Sequence, residues 1–451
     1  MRDRLKLLAV AVPLAFSGGT TAFAVEDATV DTFRHLDLLI EVFERVRAEY
    51  VEEVQDDKVL EAAINGMLAS LDPHSSYMGP DSWKAMQVQT RGKYGGLGLE
   101  VTQENGVVKV VSPFDGTPAS RAGIMSGDYI TQIDGKPVLG LTLNEAVEKM
   151  RGPVGTPIRI TIVRPVENAE DEIFDVDLVR EDIVVAAVSG RVERDSIGYV
   201  RIRTFNDQTT KGLKDALKDI EKQTGGDYAG LVLDLRSNPG GLLDQAISVS
   251  DAFLERGEIV STRGRHARDN KRWHATAGDL VDGRPVVVLV DAGSASASEI
   301  VAGALQDHHR ATILGDRSFG KGTVQTVIPL DAESALRLTT ARYYTPSGRS
   351  IQELGIEPDI LVKQVRRTAS GRVLTPRRER DLERHLNNDQ LEGATLEPEE
   401  AAPVDEGAPT QEIVIGGEPP ETDLQLEYAL DLIAGVRTAV AGRQAASLEK
   451  Q

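Results

Sequence analysis

The run Pro285-Val286-Val287-Val288-Leu289-Val290-Asp291 constrains this chain more than any other stretch. Unbroken apolar residues closed by an aspartate make a strand that is buried on both faces, as in a layered α/β core. A run of tiny residues follows, Gly293-Ser294-Ala295-Ser296-Ala297-Ser298, and then the amphipathic pattern of a helix to about Asp307. In open α/β sheets the chemistry sits in loops just beyond strand carboxyl ends. Ser296 and, further on, Lys321 are therefore the residues to test first.

The surrounding pattern agrees. Strands at 198–202 and 231–236, helices at 212–223 and 242–254, and further strands at 323–328 and 335–344 alternate as a layered α/β core requires. The chain has 451 residues, more than one core holds, so two or three domains with tails are expected. Its formal charge is −20, and 387–435 contains no Lys or Arg. An acidic chain is a poor nucleic-acid binder, because neutralising phosphates needs cations. With no cysteine, disulfides, thiol nucleophiles and thiolate metal sites are excluded.

Arg2, Arg4 and Lys6 precede the apolar 7–16, and Ala22-Phe23-Ala24 offers a cleavage pattern, so 1–24 reads as a signal peptide. The alternative is an uncleaved anchor, for which the apolar core is short. The mature chain is then expected outside the cytoplasm. Residues 25–82 carry two amphipathic helices, too small a unit for a core of its own. His74, in Leu71-Asp72-Pro73-His74-Ser75, reads as part of a turn before it reads as a ligand or a base.

Lys93-Tyr94-Gly95-Gly96-Leu97-Gly98 opens a new module. Glycines before a strand let several N–H groups face one concavity, which is how a peptide carboxylate is captured beside a sheet edge. Strands at 107–112, 129–133 and 158–163, a short helix at 118–122 and a Thr142-Leu143-Asn144-Glu145 capping box follow in order. Over 83–165 the whole resembles a PDZ domain. Beyond Val362 come a basic run, an Ala/Glu/Pro/Gly-rich acidic stretch expected to be largely disordered (363–421), and a last helix at about 422–441 within 422–451.

Ser296 has a structural explanation, since Ser296-Ala297-Ser298-Glu299 matches a capping box. It also has a chemical one: a helix amino terminus offers the Ala297 N–H to an oxyanion, and Asn238-Pro239-Gly240-Gly241 offers a second donor. A serine nucleophile needs a base. His308 and His309 lie roughly 18 Å along the helix and read as surface residues. Lys321, in Gly320-Lys321-Gly322, serves if burial keeps it neutral, and Gln325 shares its face of an extended strand. Gly315 to Gly322 nearly matches a phosphate loop but lacks the hydroxyl after the lysine and leads into a strand. Ser318-Phe319-Gly320-Lys321 matches S-x-x-K without its companion motifs.

The motifs around Ser296 and Lys321, with Asp234-Leu235-Arg236, Asn238 to Gly241, Gly355-Ile356-Glu357-Pro358-Asp359, Asp72-Pro73-His74 and the glycine loop, resemble the carboxyl-terminal processing, or tail-specific, serine peptidases. The resemblance runs from about 30 to 362. It implies a crotonase-like or Clp-protease-like core at 166–362 behind the PDZ domain. Ser296 would be the nucleophile, Lys321 the base and Gln325 its support. The Ala297 N–H with that of Gly240 or Gly241 would form the oxyanion hole, and Tyr94, Gly95, Gly96, Leu97 and Gly98 would bind a peptide carboxylate. It implies no metal or cofactor.

The expected protein is a periplasmic serine endopeptidase, with membrane association open, that cleaves unfolded or tail-exposed protein substrates. Homo-oligomers and an adaptor protein are the partners to look for. An inactive PDZ-bearing binding protein and a crotonase-type acyl-CoA enzyme are the competing readings.

Overall fold

The computed structural model describes residues 22–104, 106–166, 170–391, 409–414, 420 and 422–436. Most of the 1–24 segment lies outside them.

The strand read first in the sequence is central. Val188–Glu193, Ile197–Ile202, Gly230–Asp234, Val286–Val290, Thr312–Gly315 and Ile360–Leu361 form one sheet in that order, antiparallel at the first pair and parallel thereafter. Side chains alternate across it, as a two-residue period demands. Leu231, Leu233, Val286, Val288 and Val290 pack under the helices Thr209–Thr224, Leu243–Asp251 and Ala297–Asp307. Val232, Val287 and Leu289 face the other way, against the carboxyl-terminal helix Leu424–Ile433. The apolar run is unbroken because each face has its own cover.

That last helix matches the expected docking element, though shorter than 422–441; residues from 437 lie outside those described. Asp423 caps it, accepting from the Leu426 N–H, and also pairs with both terminal nitrogens of Arg236 at 2.9 and 2.7 Å. A second sheet orders Ser76–Met78, Ala335–Tyr344, Glu258–Gly264 and Lys271–His274, with Thr323–Pro329 also paired to 335–344.

The expectation of a largely disordered 363–421 fails for its described part. Lys363–Arg367 pairs with Val373–Leu374 and, in parallel, with Thr410–Val414. Arg378, Glu379 and Asn388 are buried, because their polar groups find partners on the peptidase core, in turn the Ser318 carbonyl, the Gln352 amide and the Glu353 carboxylate. Composition shows charge but not where a partner awaits it. The acidic 392–408 lies outside the described residues.

The glycine-loop module is a five-strand path, Leu99–Glu104, Val107–Pro113, Tyr129–Ile133, Pro157–Arg164 and Glu172–Val179, around Val110, Ile130, Ile160 and Ile162. Strand pairing carries its sheet past the expected end at 165. Pro157–Arg164 pairs along its whole length with Glu172–Val179, and Lys93–Gly96 pairs with Glu181–Val184. The sequence reads as strand from Ile173 on, but Glu172–Val179, alternating with polar residues and packing one face, does not show locally which sheet it joins. Arg180, buried, then donates to the carbonyls of Lys149 and Met150, neutralising the end of the helix Leu143–Met150.

The chain divides at Gly66. Before it lie the helix Ala22–Glu49 and most of the helix Asp56–Ala69, with Arg47 Nε 3.6 Å from an Asp56 oxygen.

Leu430 is 1% exposed in the carboxyl-terminal helix. Leu430→Ala should lower unfolding free energy by about 2–4 kcal/mol, read from the denaturant midpoint.

Candidate active site

The strand Val286–Val290 ends at Asp291, and the small residues beyond it lock two loops together. Ser294 Oγ accepts the Asp291 N–H at 2.9 Å and donates to the Leu235 carbonyl at 2.8 Å. Ser298 Oγ donates to the Asn238 carbonyl at 2.9 Å. Ser296, between them, has φ 56° and ψ −111°. A β-carbon in that region is strained by about 1–3 kcal/mol and stays there only if its surroundings hold it.

Glu299 does the holding. Half of the expected capping box forms: the Ser296 N–H donates to Glu299 Oε2 at 2.7 Å. The serine hydroxyl makes no capping bond, and the Glu299 N–H goes to the Ser296 carbonyl at 2.9 Å. The same carboxylate also accepts the Lys321 N–H at 2.9 Å, the Gly320 N–H at 2.7 Å and the Ser318 hydroxyl at 2.5 Å. One buried side chain therefore ties the backbone of Ser296 to that of Lys321. Burial pushes its carboxyl up to about 7, against the pull of its four donors.

Lys321 enters the strand Thr323–Pro329, so the phosphate-loop reading lacks its helix. Among the described residues its amine has no hydrogen-bond or ion-pair partner. Burial holds it below the ordinary lysine value; Glu379, Glu299 and Asp72 oppose this and Arg337 adds to it. Its carbonyl accepts from the hydroxyl of buried Tyr343, which also interacts with the Ser296 side chain. Ser296, Lys321, Tyr343, Gly240 and Gly241 line one cavity of about 580 Å³ with Met78, Met86, Leu243 and Val324. No direct hydrogen bond joins Ser296 to Lys321 among the described residues.

Gln325 is on the same wall, but a bulge between Val324 and Gln325 breaks the expected alternation. Its Nε2 donates to Thr323 and Thr339 at 3.0 and 3.2 Å, and among the described residues no hydrogen bond joins it to the Lys321 amine. Thr339 in turn donates to Asp72, so the Asp72-Pro73-His74-Ser75 turn stands behind Gln325. His308 bonds the Glu258 carbonyl at 2.7 Å at its helix end, and neither it nor His309 lines the cavity.

The two glycines differ. The Gly240 N–H donates to Asn238 Oδ1 at 2.9 Å, while that of Gly241 has no acceptor among the described residues. Ala297, first in its helix, likewise has a free N–H. Gly240 has φ +98°, and a β-carbon there would lie 2.8 Å from that of Ser296.

The glycine-rich segment Tyr94 to Gly98 sits at the start of the smaller module. Leu97 and Gly98 lie between strands, and neither N–H has an acceptor among the described residues, while the Gly95 carbonyl accepts the Gly152 N–H at 3.1 Å. Arg151 places its guanidinium 4.6 Å from the Tyr94 ring centre. The helix Pro80–Arg91 lines the Ser296 cavity through Ser82, Ala85 and Met86, and its cap Gly92 precedes Lys93 directly.

Sequence reasoning reached Glu299 only as a capping partner and Asn238 only as part of its loop, and missed Tyr343. The capping spacing was the available signal for Glu299; nothing local marks Tyr343, which a sheet pairing brings to Lys321.

Fold and site define a PDZ-bearing serine-type endopeptidase. Residues 196–362 match the model of peptidase family S41, 108–164 that of the PDZ domain, and 20–82 that of the activating protease CtpB N-terminal domain. A carboxy-terminal-processing protease of Bartonella bacilliformis is 52% identical over 412 residues, covering 91% of this chain and 91% of that protein. The carboxy-terminal processing proteases CtpA and CtpB of Bacillus subtilis are 34% and 36% identical, over 78% and 76% of this chain and 74% and 70% of their own lengths. The chain belongs to the carboxy-terminal-processing peptidases of family S41.

Glu299 supplies a pH dependence whose sign follows from its raised carboxyl. Between its ordinary 4.5 and about 7 the folded chain keeps a proton that the unfolded chain has released. This contribution is present below the ordinary value and lost as pH rises through about 7. Denaturant midpoints should fall from about pH 5 to about pH 8, and Glu299→Gln should flatten that part of the slope.

Proposed function

We propose that this endopeptidase works through a Ser296/Lys321 dyad and takes its substrates by their carboxyl-terminal tails. The observation that carries the reading is the pairing, in one cavity, of a strained serine at a helix start with a buried, unpartnered lysine. The neutral Lys321 amine takes the Ser296 hydroxyl proton as the oxygen attacks the scissile carbonyl carbon. The C–N bond then breaks, and the leaving amine receives that proton from Lys321. Water hydrolyses the acyl-serine by the same proton path. The N–H groups of Ala297 and Gly241, both without acceptors among the described residues, suit the oxyanion; that of Gly240 is already engaged by Asn238. Gln325, tied to Thr339, supports the lysine's wall.

The tail lies beside the sheet edge with its carboxylate on the N–H groups of Leu97 and Gly98, at the end of the Tyr94 to Gly98 segment. The helix Pro80–Arg91 connects that loop to the cavity wall, which favours gating: tail binding shifts the helix and with it the Ser296 pocket. Arg151, stacked on Tyr94, is placed to couple the two. The amino-terminal pattern at 1–24 favours export to the periplasm. Leu36, Leu39 and Ile40, exposed on the first helix, favour self-association.

Ser296→Ala and Lys321→Ala should each lower cleavage of a disordered protein by about 10³-fold or more while leaving the fold intact. Near wild-type turnover in either would end the dyad reading. A substrate with an apolar tail should be cleaved faster than the same chain without it, and Arg151→Ala should shrink that ratio. An unchanged ratio would count against the coupling.

A further inference from the structure

The peptidase match stops at Val362, yet the proposed base is held from beyond it. After Val373–Leu374 the chain returns as the single turn Glu379–Asp381. Arg378 Nη1 donates to the carbonyls of Arg317 at 2.6 Å and Ser318 at 2.8 Å. The Glu379 N–H donates to the Phe319 carbonyl at 3.1 Å. The Glu379 side chain is 1% exposed, and both its oxygens lie 2.9 Å from His74 Nε2. Its Oε1 also accepts from Gln352 Nε2 at 3.1 Å, and the oxygen of that glutamine accepts the Gly322 N–H at 2.9 Å. Glu379 thus reaches the backbone on both sides of Lys321.

A peg would not need a carboxylate. The bond from the Glu379 N–H to Phe319 survives any side chain, and burying an ion costs several kcal/mol before its partners offset it. Charge is what the carboxylate adds. Its surroundings are His74, His385 and the Tyr343 phenol, and the amine of Lys321 lies within its field; Glu299, Asp72 and Arg337 face the same amine. Burial pulls the Lys321 amine down, and the Glu379 carboxylate opposes it.

We propose that Glu379 is a positioning residue for Lys321, a carboxylate supplied from beyond the peptidase domain that pegs the lysine's loop and sets the charge its amine faces. His74, held by the Asp72 turn through its own N–H at 2.8 Å, is the donor that moderates that charge. The proposal rests on the dyad reading. It gives the Asp72-Pro73-His74 motif and the segment after Val362 a shared task at the base.

The test is the acid limb of kcat/KM against pH for a disordered substrate, which reports the base in the free enzyme. It uses the full chain. Glu379→Gln keeps the shape and removes the charge: the limb should move to lower pH, so that activity at about pH 6, relative to the plateau, rises about threefold or more. Glu379→Asp keeps the charge at a shorter reach: the plateau should drop while the midpoint stays. His74→Ala removes the moderating donor and should move the midpoint to higher pH; it decides alone if the glutamine variant does not fold. Uniform losses with an unmoved midpoint would reduce Glu379 to packing and overturn the proposal, as would unchanged profiles. Activity surviving in Lys321→Ala would instead sink the dyad, and this proposal with it.

Discussion

A single buried carboxylate, that of Glu299, is the contact on which the site depends. Two segments that arrive from different parts of the fold, a strand-to-helix turn and a loop entering the second sheet, are tied together by the amides it accepts, beside the bond from the Phe319 N–H to the Ser294 carbonyl. An unpaired carboxylate so deep would be prohibitive, and four donors offset most but not all of its lost hydration. The same donors fix where Ser296 and Lys321 start. The strained φ of Ser296 is held in place by the bond from its N–H to Glu299.

Around this contact the core sheet and the second sheet divide the labour. The core sheet, covered on both faces, presents the nucleophile and the Asn238 to Gly241 loop at its strand ends. The second sheet carries Lys321, Gln325 and Tyr343, and its edge strand Ser76–Met78 brings in the Asp72 turn. A polar chain from Asp72 through Thr339 to Gln325 runs along it. Such networks rigidify a site when every member is satisfied.

The segment after Val362 changes how the domain should be drawn. Its arginines look solvated in the sequence, and runs of charge usually are. Arg378 is 8% exposed because the carbonyls of Arg317 and Ser318 stand ready for its guanidinium. The terminal helix does the same for the opposite side of the sheet, with Asp423 serving at once as cap and as partner of Arg236. The peptidase core is thus closed by pieces that a domain boundary at 362 would leave out.

Much of this was written in local pattern. The apolar run at 286–290 required burial on two faces, glycines marked the loops, and the capping spacing placed the helix that starts at Ala297. Motif spacing singled out Ser296 and Lys321, because chemistry at strand ends needs small neighbours and a loop. What remained undetermined was contact across distance. That Gly240 is engaged by Asn238 while Gly241 is free, that Gln325 turns to Thr323 and Thr339 at a bulge, and that Tyr343 and Glu379 close on the lysine all follow from pairing and docking. Local sequence sets which residues can fill a strand, a cap or a turn. Which buried polar groups meet is decided only when the folded chain brings their partners within reach.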